Sequence, residues 1–389
     1  MSEPLKPAKP GRLISLDAFR GMTIAGMILV NNTGDWSNQY KPLGHAAWHG
    51  CTATDLIFPF FLFIMGVAMT FSFSHRLEEP GGRRALLGQV LRRTLLLFGL
   101  GMLLNLIAYL AAPWVKSLRI PGVLQRIALC YLVVSLIGLR TQVRGQALWT
   151  IGLLGGYWAA MKFIPVPGHG AGILDKVGNL ASYLDTQIFG ITNYEFDAVK
   201  NLGHDPEGLL STLPAIATTL TGLLAGQWIR RKDRDGNEKT AGLATAALVL
   251  LVLGALWHYE FPYNKNLWTS SYVLHTSGWG LLTFAACYWV IDVKGRSAWT
   301  KPFVVYGTNA IAAYFGASAM AWLTILIKIP QADGKSIFLK TWLYDNLFKS
   351  WIPGLFGDKA SSAAYGIMYV LIWLGLMGIL YRKKIFIKV

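Results

Sequence analysis

Along the chain, apolar residues gather in long runs separated by short polar stretches. An α-helix needs roughly 20 apolar residues to cross the hydrocarbon core of a bilayer. Ten such runs can be drawn, near residues 13–32, 54–74, 90–111, 121–139, 147–164, 210–229, 241–258, 271–291, 303–328 and 362–381. The pattern predicts an all-α, polytopic membrane bundle of about ten transmembrane helices. It reads as a single domain over 13–389 behind a short polar segment, 1–12. No repeat of fixed period and no low-complexity tract interrupts it.

Lysine and arginine set the orientation. With the N-terminus inside, the inner segments 1–12, 75–89, 140–146, 230–240, 292–302 and 382–389 hold 20 of these residues. The outer segments 33–53, 112–120, 165–209, 259–270 and 329–361, almost twice as long in sum, hold 10. The positive-inside rule then predicts that both termini are cytoplasmic. The first run reads as a retained helix and not a signal peptide, because Asp17 and Arg20 interrupt it and no small-residue cleavage site closes it. Of the three long outer loops, 33–53 is rich in Gly, Trp and Tyr and is expected to fold back onto the bundle. In 165–209, Asp205 and Pro206 read as an N-cap and first-turn proline for the next helix. Within 329–361, the aromatic, amphipathic stretch 337–356 reads as interfacial and not spanning.

Composition agrees with this reading. Charged residues are 14% of the chain, against about 25% for a soluble domain. The net charge of +16 lies in clusters between apolar runs, which argues for cytoplasmic loops and against nucleic-acid binding. Cys51, Cys130 and Cys287 are far apart and form no CxxC motif or disulfide framework.

Few ionisable residues fall inside the runs. Asp17 and Arg20 are three apart, on one face of the first helix, and Arg126 is on the fourth. A central charge costs roughly 2.5–3.5 kcal/mol to insert, so each should face a partner or a polar cavity. One reading is a structural Asp17–Arg20 pair with Arg126 reaching outward; the other is a path for an anionic ligand, to which the arginine fork is suited. The stretch "HAAWHG" followed by Asp55 is similarly open. His45 and His49 are four apart and would align on a helix as an HxxxH zinc pair with Asp55 as third ligand. Yet the adjacent glutamate of HExxH hydrolases is missing and no downstream ligand stands out. A capping role is a second reading. In the third, His45 is a general base that Asp55 orients and charge-balances, an imidazole being suited to moving protons at neutral pH.

Six blocks occur in a telling order: "LDAFRG" (16–21), "HAAWHG…DLIFPFFLFIMG" (45–66), "PGVLQR" (121–126), "DPEGLL" (205–210), "NKNLW" with "SY" (264–272) and "YGTNAIAAY" (306–314). Together, from about residue 12 to 382, the chain resembles the heparan-alpha-glucosaminide N-acetyltransferase family of transmembrane acyltransferases, including its shorter bacterial members. The resemblance implies a reaction in which an acetyl group from cytosolic acetyl-CoA passes to the amine of a glucosamine residue across the membrane. It carries the active-site histidine onto His45, its acidic partner onto Asp55 and the neighbouring asparagine onto Asn31. His49 falls where animal members have no histidine and stays outside that set. The long luminal extension of the lysosomal members does not precede the first run, which turns the expected acceptor from heparan sulfate towards a smaller amino sugar of a bacterial envelope.

On this reading the thin pantetheine arm of acetyl-CoA reaches in from the basic inner loops, with Arg20, Gln125 and Arg126 as cofactor contacts. His45 takes the amine proton, and Asn31 or Arg126 donates to the tetrahedral oxyanion. Trp48, Glu207, Trp268 and Asn309 are the candidates for gripping the sugar. No metal is expected. The expected partners are acetyl-CoA, an amino sugar or aminoglycan end, membrane lipid and a second copy of the chain, in the bacterial inner membrane. Two rivals share these features: an amino-sugar permease, and an O-acyltransferase acting on an envelope polysaccharide.

Overall fold

The computed structural model describes residues 13–77, 82–331 and 334–387, so the expected cytoplasmic segment 1–12 lies outside it. All ten apolar runs are helical. The first five are α1 (Ile14–Asn31), α2 (Ile57–Leu77), α3 (Gly82–Ala111), α4 (Val123–Arg140) and α5 (Val143–Phe163). After α6 (Leu180–Phe189), which lies in the second long loop, come α7 (Thr212–Ile229), α8 (Gly236–His258) and α9 (Ser270–Cys287). The ninth run is two helices, α10 (Lys301–Thr308) and α11 (Ala310–Leu326), bent by 70° at Asn309. Two short helices, α12 (Leu339–Tyr344) and α13 (Ile352–Phe356), precede the last run, α14 (Asp358–Arg382). Strand is confined to two antiparallel hairpins, β1 (Glu195–Asp197) with β2 (Leu202–His204) and β3 (Lys328–Pro330) with β4 (Ser336–Phe338). The protein is an all-α polytopic helical bundle.

Among the described residues, six helices are individually long and apolar enough to cross a membrane, and seven spans result if the bent pair counts as one. The central helices α7 and α9 fall short of that measure for a physical reason. They are buried almost all round, so they need no lipid-facing stripe and can carry hydroxyls. In a dry interior each hydroxyl must find a partner. Thr219 Oγ1 donates to the Ala215 carbonyl at 3.3 Å, and the hydroxyls of Thr221 and Ser277 meet at 3.0 Å. Lipid-facing helices look different: the apolar windows of α3 and α8 are only 28% and 17% buried.

Backbone contact sets the packing of α2 on α7. A Cβ on Gly66 would stand 2.0 Å from the Thr219 carbonyl oxygen, and one on Gly222 2.0 Å from that of Phe63. Small residues permit this approach, which is how helices associate when lipid is as apolar as a leucine side chain.

The segments expected outside and those expected inside lie at different ends of the bundle. At one end the Gly50 N–H donates to the Tyr263 carbonyl, Trp48 Nε1 to that of Leu174, and the Ile120 N–H to that of Thr192. Trp114 packs edge-on against Phe338, so all five segments expected outside share this end. At the other, the Asp292 carboxylate accepts from the Ile14 and Ser15 N–H groups that open α1. The stretch 337–356 is not one amphipathic helix but α12, a π-helical turn at Asp345–Lys349, and α13. Its Tyr344 is buried, with its ring against Gly34 and Tyr365.

Candidate active site

The loop before α2 closes on a carboxylate. Asp55 sits in the 3-10 turn Thr54–Leu56 that leads into the helix. Its Oδ1 faces His45 Nδ1 at 2.6 Å, while Oδ2 accepts the N–H groups of Thr52 at 2.9 Å and Ala46 at 3.1 Å. The Thr52 hydroxyl donates across the loop to the Gly44 carbonyl at 2.7 Å. Gly50, at φ +120°, makes the turn that an L side chain would resist. One aspartate thus organises ten residues of loop and orients the imidazole. The Asp55 side chain is 1% exposed and that of His45 44%. A carboxylate can only accept here, so Nδ1 carries the proton of this bond and Nε2 is the ring nitrogen turned away from Asp55.

A second turn, "NKNLWTS", brings a cation to the ring. Asn264 Oδ1 accepts from the Leu267 N–H at 2.8 Å and Thr269 Oγ1 from the Asn264 N–H at 3.1 Å. Trp268 adopts φ +53° within this knot. The result sets Lys265 Nζ 3.3 Å from His45 Nδ1 and 3.2 Å from Nε2. Burial lowers the pKa of this lysine, and the Glu207 and Asp55 carboxylates oppose that shift.

Beside the lysine lies a charged cluster. Arg119 bonds both Asp205 and Glu207, with its Nε 2.9 Å from Asp205 Oδ2. Burial would push Glu207 up, but Arg119, Arg126 and Lys265 outweigh it and hold the carboxyl below the usual range. Asp205 is therefore no helix N-cap: it takes Arg119 and the Tyr194 and Glu207 N–H groups, while α7 starts at Thr212 behind Ser211. Arg126, 1% exposed, donates Nη2 to the Gly208 carbonyl at 2.9 Å and to Ser211, and its guanidinium lies 5.1 Å from the Trp268 ring centre. Its Nε and Nη1 are buried with no hydrogen-bond partner among the described residues.

The remaining candidates distribute differently. Trp268 is 0% exposed, its Nε1 bonded to Thr218 Oγ1 at 3.1 Å, so it supports Arg126 and offers no face to a sugar. Asn309 lies with the chain after α14: Nδ2 donates to the Ile385 carbonyl at 3.0 Å and Oδ1 accepts the Ile387 N–H at 2.8 Å. Both of its functions are taken by backbone, away from His45. Arg20 Nη1 reaches the Gly307 carbonyl at 3.1 Å and Asp17 at 3.3 Å, the structural pairing. Gln125 is buried, its Nε2 3.0 Å from the Ile120 carbonyl, and holds the turn into α4. Asn31 ends α1 and is exposed. Trp48 packs edge-on against His204, and burial takes the pKa of that ring down to about 4. His49 faces Asn264 Nδ2 at 3.4 Å, so the two histidines have different partners. Lys265, Arg119 and Asp205 had no sequence role beyond a block or a cap, although "NKNLW" and "DPEGLL" contain two of them.

Comparison with known proteins follows the same residues. The family model described as heparan-alpha-glucosaminide N-acetyltransferase, catalytic, matches residues 12–261, which include His45, Asp55, Arg126 and Glu207. A human protein named heparan-alpha-glucosaminide N-acetyltransferase is 30% identical over 98% of this chain. The mouse protein of that name is 33% identical over 78% of it. The chain spans 60% and 53% of the length of these two relatives.

Proposed function

Because the chain belongs to the heparan-alpha-glucosaminide N-acetyltransferase family, we propose that it is a transmembrane N-acetyltransferase moving acetyl from cytoplasmic acetyl-CoA to the amine of a glucosamine-type sugar on the other side. The observation that carries this is His45 Nδ1 on Asp55 at 2.6 Å, in a loop at the end of the bundle opposite the basic segments. The sugar amine attacks the thioester carbonyl, a C–N bond forms, and His45 Nε2 accepts the amine proton. The C–S bond then breaks, the His45 imidazolium passes that proton to the sulfur, and CoA leaves as the thiol. Asn31, at the end of α1, is our choice of donor to the oxyanion. Glu207 and Trp48 are our choices for holding the sugar, and the inner basic loops with Arg20 for receiving the CoA phosphates. The acceptor is an amino sugar or aminoglycan end, and the setting is a bacterial inner membrane.

Vesicles of known orientation test this, with acetyl-CoA on the cytoplasmic face and glucosamine on the other. Free CoA should appear with the donor and N-acetylglucosamine in the opposite compartment, in equal amounts, and no sugar should cross. Labelled sugar moving without acetyl-CoA, and still moving in His45→Ala vesicles, would establish a permease instead.

A further inference from the structure

Lys265 Nζ is almost equidistant from the two ring nitrogens of His45, at 3.3 and 3.2 Å. In the plane of the ring, such a position would drive the ammonium into Cε1. The nitrogen therefore stands over the face of the imidazole, and the in-plane lone pair of Nε2 stays open. The geometry points to Lys265 as a positioning residue that keeps His45 unprotonated and edge-on to the incoming amine. This rests on His45 being the base of the transfer reaction.

Charge accounts for the effect. A cation over a neutral ring is attracted by its electrons, whereas the same cation beside an imidazolium is repelled. Asp55 alone would draw a second proton onto the ring and spoil it as a base; the ammonium opposes that. The groups around it are Asp55 and Glu207, whose charges oppose the loss of the lysine's proton, Arg126 beyond, and Cys51. Burial pushes the Cys51 thiol up to about 12, so it stays neutral. The lysine backbone is pinned as well, its carbonyl accepting the Trp268 N–H at 3.2 Å.

The test reads His45 directly. Diethyl pyrocarbonate acylates only neutral imidazole, and peptide mapping of the purified full chain gives the rate at His45 and at His49 separately. Between about pH 5 and 8, the half-maximal rate at His45 should move up by about one pH unit in Lys265→Met. It should stay put in Lys265→Arg, and that at His49 should not move in either. The acidic limb of the kcat/KM profile for acetyl transfer should move with it. Should methionine prevent folding, Lys265→Gln serves. An unchanged His45 midpoint in the neutral variant, or a loss of labelling at all pH values without a shift, would overturn the assignment. Labelling needs no acetyl transfer, so an inactive wild type would sink the functional reading alone.

Discussion

His45 and His49 share a loop, yet only His45 leans on a carboxylate. Replacing His45 by alanine should cost transfer about 10²–10⁴-fold, the usual worth of a positioned base, while acetyl-CoA binding stays within a few-fold. His49→Ala should be far milder, and steady-state kinetics with binding assays separate the two. A different residue controls stability. Asp185 is buried under Gly208, with its Oδ1 accepting the Leu209 N–H at 2.8 Å, and burial raises its pKa from 3.8 to about 7. Its folded pKa is raised, so its favourable contribution is present below the unfolded value and is lost as pH rises through about 7. Asp185→Asn keeps an acceptor for Leu209, so it should unfold at a higher temperature than the wild type near pH 8 and lose that advantage towards about pH 4. Melting curves in detergent decide it. At this scale the contact between His45 and Asp55 was legible because both stand in one short block. Lys265 was not, since it meets His45 from 220 positions away and nothing periodic marks it. Trp268 misled for a related reason: a tryptophan at the lip of an apolar run resembles an interfacial anchor until its neighbours are known.

Helices were the legible elements, because a bilayer demands length and apolarity from each span and the chain records both. The bend at Asn309 was not legible, since "VVYGTNAIAAY" is apolar on both sides and hydropathy carries no direction. Nor was α6, a ten-residue helix capped by Asn179 inside a loop that reads as turns. Glycine positions give the element-scale prediction. Gly222→Leu must force α2 and α7 apart at the Phe63 carbonyl, costing about 1–3 kcal/mol as overpacking does. The unfolding temperature should fall clearly, whereas Gly375→Leu, in α14 with nothing within 4 Å of a Cβ, should leave it near the wild-type value.

For the whole molecule, the lysine and arginine asymmetry predicts accessibility. In a background lacking Cys51, Gly168→Cys and Gly334→Cys should react with impermeant thiol reagents from outside intact cells, and Asp235→Cys should not. Labelling at position 235 would invert the bundle. The bend at Asn309 has a consequence in time as well as in space. Ile387, whose N–H donates to the Asn309 side-chain oxygen Oδ1, follows it by 78 residues. A ribosome that has just delivered the ninth span has therefore not yet made the segment that completes it. Until then the side-chain amide of Asn309, at the break between α10 and α11, lacks both of its partners, the Ile385 carbonyl and the Ile387 N–H, in surroundings where an unsatisfied polar group is costly. Biogenesis of this bundle cannot run strictly from first helix to last: one of its inner joints stays open until the chain doubles back to close it.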